Sequence, residues 1–175
     1  MALVTEDGTG LPDAESYISI ADASTYHNAR GNAAWDLLDE DVKEQNCRKA
    51  TEYMLQVYRH RWKGVRMTAT QALDWPRAQV YLEPVVTGAS TEFPNLVDDD
   101  IVPTEVERAC AELALKASSG TLYPDLTQQK KSVVIGPIET VFDHSSNPST
   151  RYKSIDGMLA PYMATAAGQL DAIRV

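Results

Sequence analysis

The sequence is poor in cysteine, in long apolar runs and in positive charge, and each shortfall excludes something. Only two cysteines occur, Cys47 and Cys110, each on the apolar face of an expected helix. They read as two reduced core thiols of a cytoplasmic protein, and nothing suggests a bridge between them. No apolar stretch follows Met1 and the first basic residue is Arg30, so no secretory signal is expected. The late uncharged run 157–170 contains Pro161 and falls short of the about 20 apolar residues that a membrane span needs. The 175 residues carry 16 basic and 25 acidic side chains, a formal net charge of −9. That balance argues against a general duplex-DNA binder and against a polybasic membrane anchor.

Catalytic signatures are missing as well. His27, His60 and His144 are dispersed and none stands in a metal-binding spacing. There is no P-loop and no nucleophile elbow, and Gly8-Thr9-Gly10 has no helix opening behind it. Asp98-Asp99-Asp100 lacks the spaced ligands and the glycine of a calcium loop and reads as a solvated loop. Glu105 and Glu107 read as first-turn charges of a helix rather than as an acid–base pair. No enzyme, metal site or cofactor is expected.

What is present is mainly helical. Ser19-x-x-Asp22 predicts a capped helix ending near Gly31, followed by an apolar patch of Trp35, Leu37 and Leu38. A second helix should start after Asp39 and run to about His60, with Val42, Cys47, Ala50, Met54, Val57 and Tyr58 on one face. A short turn of helix is expected over Thr68–Leu73, and 86–102 reads as a surface loop. Thr104-x-x-Glu107 predicts a capping box for a third helix, whose face is Val106, Ala109, Cys110, Leu113, Ala114 and Ala117. Ser132–Phe142 is rich in Val and Ile around Gly136-Pro137 and predicts an edge strand or a bent pair. Ser154 or Asp156 should cap a last helix that Pro161 kinks or restarts. The expected fold is therefore mainly α: a small helical bundle with a minor β-hairpin or extended strand arm, and extended termini. An N-terminal extended arm covers 1–18, a helical domain covers 19–168 with a β insertion around 130–153, and a tail covers 169–175.

Two stretches stand out. Gln71-Ala72-Leu73-Asp74-Trp75-Pro76-Arg77 reads as a structural corner, because the residue before proline is pushed out of the helical region. Trp75 would anchor that corner and Arg77 would snorkel along it. The second stretch is electrostatic. Residues 1–47 carry a net −8, residues 48–66 a net +5, and residues 67–175 a net −6. The basic segment interleaves Arg59, Arg61, Lys63 and Arg66 with Tyr53, Tyr58 and Trp62, a pattern that can track a single strand while bases stack on the rings. The alternative puts Tyr58 and Trp62 in the core and pairs the arginines with acidic neighbours or another subunit.

Thr5–Gly10, Ala14–Tyr17 with the short helix after it, Arg61-Trp62-Lys63-Gly64, Gln71–Arg77, Gly136-Pro137-Ile138-Glu139 and Ile155–Tyr162 form an ordered set. The set resembles the head-to-tail connector family of tailed bacteriophages, also called adaptor or head-completion proteins. The same proteins carry a second label, DnaT-like single-stranded-DNA-binding protein. The connector label implies a structural virion protein, made in the host cytoplasm, that forms a homo-oligomeric ring in the phage neck, usually of twelve copies. Such a ring would bind the portal protein, offer a docking surface to tail or neck proteins, and extend the channel through which DNA passes without sequence-specific binding. On that reading Leu170, Ile173 and Val175 dock the tail of the chain on the portal or a neighbour, and the charge alternation suits subunit contacts. The second label implies a replication protein that holds single-stranded DNA along Arg59, Arg61, Trp62, Lys63 and Arg66.

Overall fold

Ser19 sets the first helix, α1 (Ile20–Asn28), as its spacing predicts: its hydroxyl oxygen accepts the Asp22 N–H at 3.1 Å. That bond satisfies one of the donors a helix start leaves open. In the computed structural model, residues 2–83, 85–87, 90–92, 95–125, 132–135, 138–141 and 151–164 are described. A single turn, α2 (Ala33–Asp36), buries Trp35, whose indole N–H donates to Ser24 at 3.0 Å. Leu37, expected to share that patch, is 86% exposed instead.

The long helix α3 (Glu40–Tyr58) follows Asp39 and buries Asn46, Cys47, Ala50, Thr51, Met54 and Tyr58. Asn46, Ala50, Met54 and Tyr58 recur at four-residue steps with Cys47 and Thr51 beside them, one face of a helix, and Tyr53 at its edge is also buried. The other long helix, α4 (Thr104–Ala117), buries the whole predicted row from Val106 to Ala117. Its alanines let α3 come close, and α3 against α4 is the most extensive contact between elements. The predicted capping box does not form. Pro103 is the N-cap, so Thr104 already lies inside the helix, and the Val106 and Glu107 N–H groups donate to the Pro103 carbonyl at 2.8 and 3.2 Å instead of to the Thr104 hydroxyl. A short α5 (Lys153–Leu159) packs on α4 and continues as a 3-10 turn, Ala160–Tyr162, with Pro161 inside it. Tyr152 is the N-cap of α5, which places Ser154 and Asp156 within the helix rather than at its cap.

The β structure is a set of short antiparallel pairs. β1 (Val65–Arg66) pairs with β2 (Arg77–Ala78), and β3 (Tyr81–Leu82) pairs with β6 (Asn95–Leu96). Between the last two lies the hairpin of β4 (Val85–Thr87) and β5 (Ser90–Glu92). The stretch 86–102, expected to be loop throughout, therefore carries three short strands, whose backbones pair with one another or with β3. β7 (Ser132–Ile135) pairs with β8 (Ile138–Val141), inside the expected β insertion. The architecture is mainly α with minor β-hairpins.

The N-terminal segment, expected as an extended arm, is extended but lies along its own body. Ala14, Ser16, Tyr17 and Ile18 are buried, and Thr5 forms a parallel bridge with Ser16. The buried Glu6 carboxylate accepts the N–H groups of Gly8 at 3.0 Å, Gly10 at 2.8 Å and Leu11 at 3.0 Å. Gly8 has φ +98°, and a Cβ there would stand 1.9 Å from the Asp100 carbonyl oxygen, so only glycine fits. The Glu6-Asp7-Gly8-Thr9-Gly10 run is thus a loop clamp against the segment before α4.

The Gln71–Arg77 corner is stitched by its own side chains. Gln71 Nε2 donates to the Leu73 and Pro76 carbonyls, each at 3.0 Å, and its Oε1 accepts the Thr68 N–H at 2.7 Å. Thr68 Oγ1 in return accepts the Gln71 N–H at 3.0 Å, which replaces the helical turn expected over Thr68–Leu73. The Trp75–Pro76 peptide is cis. Arg77 does not snorkel along Trp75. Its guanidinium is buried and donates to the carbonyls of Lys63 at 2.7 Å, Gly64 at 2.8 Å and Asp74 at 3.2 Å, so three unpaired carbonyls draw it inward. Trp75 is fully buried, edge-on to Trp62 and to Tyr162 at 5.6 Å each.

Candidate nucleic-acid interface

The packing of α3 on α4 decides which cations and rings of the basic segment reach the surface. Tyr58 and Trp62 do not: both are buried, 6.0 Å apart, and Trp62 forms an antiparallel bridge with Met163. Most of the cations expected beside them have partners within the chain. Arg59 Nε lies 3.1 Å from the buried Asp74 carboxylate. Lys63 Nζ donates to the carbonyls of Tyr81 at 3.1 Å and Pro161 at 2.9 Å. The Arg66 guanidinium donates to the Gln71 carbonyl. Arg48 stands 3.0 Å from Glu15 and 3.1 Å from Glu44. The five residues Arg59, Arg61, Trp62, Lys63 and Arg66 therefore do not form one groove. Arg59 turns toward the Trp75 corner, while Arg61 turns the other way, over the Tyr58 ring at 5.4 Å and 3.9 Å from Asp156. Trp75, Pro76 and Arg77 all lie inside the corner. Leu170, Ile173 and Val175 lie outside the described residues.

On the Arg61 side a groove opens instead. A cavity of about 560 Å³ lies between Lys49, Glu52, Tyr53 and Gln56 of α3 and the end of α4 at Ala117 with the loop 118–123 that follows it. A second, of about 300 Å³, adjoins it and is lined by Tyr53, Gln56, Val57, Arg61, Tyr123, Arg151 and Asp156. Tyr53, Gln56 and Tyr123 border both, so the two read as one trough.

Its aromatic floor is built by tertiary packing. Tyr53 on α3 meets Tyr123 edge-on at 6.2 Å and Tyr152, ahead of α5, edge-on at 5.5 Å. Tyr53 is buried, and that burial pushes its hydroxyl up to about 12, so it stays neutral at physiological pH. Tyr123 is 55% exposed and presents a ring to the trough. Lys49 at one end and Arg61 and Arg151 at the other are exposed cations on its rim, with Glu52 and Asp156 between them. Lys116 Nζ lies 5.6 Å from the Tyr152 ring centroid, and neither residue lines the trough. A neutral aromatic platform between cations can stack a base and hold the phosphates on either side of it. Tyr123 escaped the sequence reading because it stands alone in a loop, and only the α3–α4 pairing brings it to Tyr53. An aromatic residue just past the helix stop at Gly120 was the available signal.

A family model described as "Putative DnaT-like ssDNA binding protein" matches residues 1–175. The chain belongs to this family. Of the two labels carried by the resemblance, the family match bears on the DnaT-like one. Comparisons with curated proteins and with solved structures gave no match. For a member of this family the trough at Tyr53 and Tyr123 is the candidate contact surface, in place of the linear Arg59–Arg66 stretch. Among the described residues no helix is long and apolar enough to cross a membrane.

Proposed function

We propose that the protein binds single-stranded nucleic acid in the Tyr53–Tyr123 trough. A base stacks on Tyr123, and flanking phosphates meet Lys49 on one side and Arg61 and Arg151 on the other. The observation that carries this reading is one exposed tyrosine ring held between basic rims, in a chain of a DnaT-like single-strand-binding family. Three phosphate contacts predict a modest salt response, with log affinity falling against log salt at a slope of about −2. The test is titration of a labelled oligothymidylate over a salt series, for the native protein and for Tyr123→Ala. Binding that is unchanged in Tyr123→Ala would remove the trough from the reading.

A second reading is the neck adaptor ring of a tailed phage, attached to the portal. Two observations favour it. The cations of the basic segment are largely committed inside the chain while the whole carries −9, which suits a wall that DNA slides past without sticking. The β4–β5 and β7–β8 hairpins each pair, among the described residues, only within themselves, and such an edge can accept a neighbour's strand. Native mass and particle images of the purified protein with a portal ring decide this reading. A closed ring of copies on the portal supports it, and no association between the two removes it.

A further inference from the structure

Asp156 differs from the other polar residues of the trough in how firmly the fold holds its functional group. Its backbone N–H donates to the Tyr152 carbonyl at 3.0 Å in the first turn of α5. Its Oδ1 accepts the hydroxyl of the buried Tyr58 at 2.9 Å. Arg61 Nη1 stands 3.9 Å from that same oxygen, too far for a hydrogen bond. Among the described residues Oδ2 has no partner. The side chain is one-third exposed and borders the smaller cavity together with Tyr53, Gln56 and Tyr123. Glu52, the trough's other carboxylate, is exposed and has no such anchor among the described residues.

A stacking platform by itself accepts any base, because every base has a π-face. A fixed carboxylate beside it does not, because it accepts hydrogen bonds and donates none. Bases splayed from a single strand are read on their Watson–Crick edges. Guanine presents N1–H and an N2 amino group side by side on that edge, and the two donors match the two oxygens of one carboxylate. Tyr58 occupies only one lone pair of Oδ1, so both oxygens can still accept. Adenine and cytosine each offer one amino group next to a ring nitrogen that repels the carboxylate. Thymine offers one N–H between two carbonyl oxygens, the poorest match. The Gln56 amide borders the same cavity and supplies a donor for guanine O6. Because Tyr58 already orients the carboxylate, little ordering remains to offset the gain on binding.

We infer that Asp156 makes the trough select guanine, an inference that rests on single-strand binding in the Tyr53–Tyr123 trough. The test compares an oligothymidylate with the same strand carrying one central guanine, titrated against the native protein. The guanine strand should bind at least about fivefold tighter, the low end of what a bidentate side-chain–base pair contributes. Replacing that guanine by hypoxanthine, which keeps N1–H and lacks the N2 amino group, should remove most of the gain with no change to the protein. Asp156→Asn keeps a carbonyl oxygen for the Tyr58 hydroxyl and loses the paired acceptors, so it should bind the guanine and thymine strands within about twofold of each other. Equal binding of both strands to the native protein, with Tyr123→Ala weakening each, overturns the selectivity and leaves the trough standing. A guanine preference that survives Asp156→Asn also overturns it. Absence of binding to either strand removes the trough, and the selectivity with it.

Discussion

Trp75 joins the Gln71–Arg77 corner to Trp62 and Tyr162, and its truncation has a calculable cost. The ring is fully buried, with Trp62 and Tyr162 edge-on at 5.6 Å each. Removing a buried tryptophan side chain costs about 3–5 kcal/mol, and loss of two aromatic edge contacts places this site near ~4 kcal/mol. Its indole N–H has no partner among the described residues, so Trp75→Ala orphans no hydrogen-bonding group and the cost is one of packing. For a chain of this length each kcal/mol is worth about 2–4 °C, so melting should fall by ~8–16 °C. Circular dichroism melts and a urea series with unchanged slope measure it. Trp75→Phe, which keeps one ring against both neighbours, should lose less than half as much. A fall of less than about 3 °C for Trp75→Ala would refute the packing account of the corner, since it lies below the cavity range.

Three further outcomes follow from the same structure. His27 is buried, with Nε2 3.0 Å from the Ala111 carbonyl oxygen and Nδ1 3.1 Å from the Asn32 amide, and burial lowers its pKa below 6.5. The unfolded chain then binds the proton more tightly. Stability should be full above pH 6.5 and be lost as pH falls from there toward the lowered value, and His27→Gln should flatten that limb of the pH–stability curve. Burial also pushes the Cys47 and Cys110 thiols up, so neither should react with a thiol reagent in the native protein and both should react in denaturant. Tyr123→Ala should weaken single-strand binding by roughly 5- to 150-fold, the equivalent of about 1–3 kcal/mol for one stacked base, while thermal stability stays close to native.

The two long helices were legible because each repeats one apolar face over several turns, and the Ser19 cap because its partner lies three residues on. Where the reading missed, a tertiary or backbone term outweighed a local pattern. Thr104 looks like a cap, but Pro103 takes that place. Thr68 and Gln71 look like a helical turn, yet they exchange side-chain bonds with each other's backbone. Arg77 reads as a surface cation, and three carbonyls from two segments bury it. The basic run from Arg59 to Arg66 is continuous in sequence and divided in space, because Trp62 turns inward and sends its neighbours to opposite sides. The trough depends on Tyr53 meeting Tyr123 across the α3–α4 contact, which no local spacing encodes.

The most direct test of single-strand binding in the trough is a salt-dependent titration of a labelled oligothymidylate with native protein and with Lys49→Glu, Arg61→Glu, Arg151→Glu combined. The account predicts saturable binding to the native protein, with a log–log salt slope of about −2 that collapses in the triple variant. No binding at low salt up to about 100 μM protein, or a slope that the triple variant leaves intact, would contradict it.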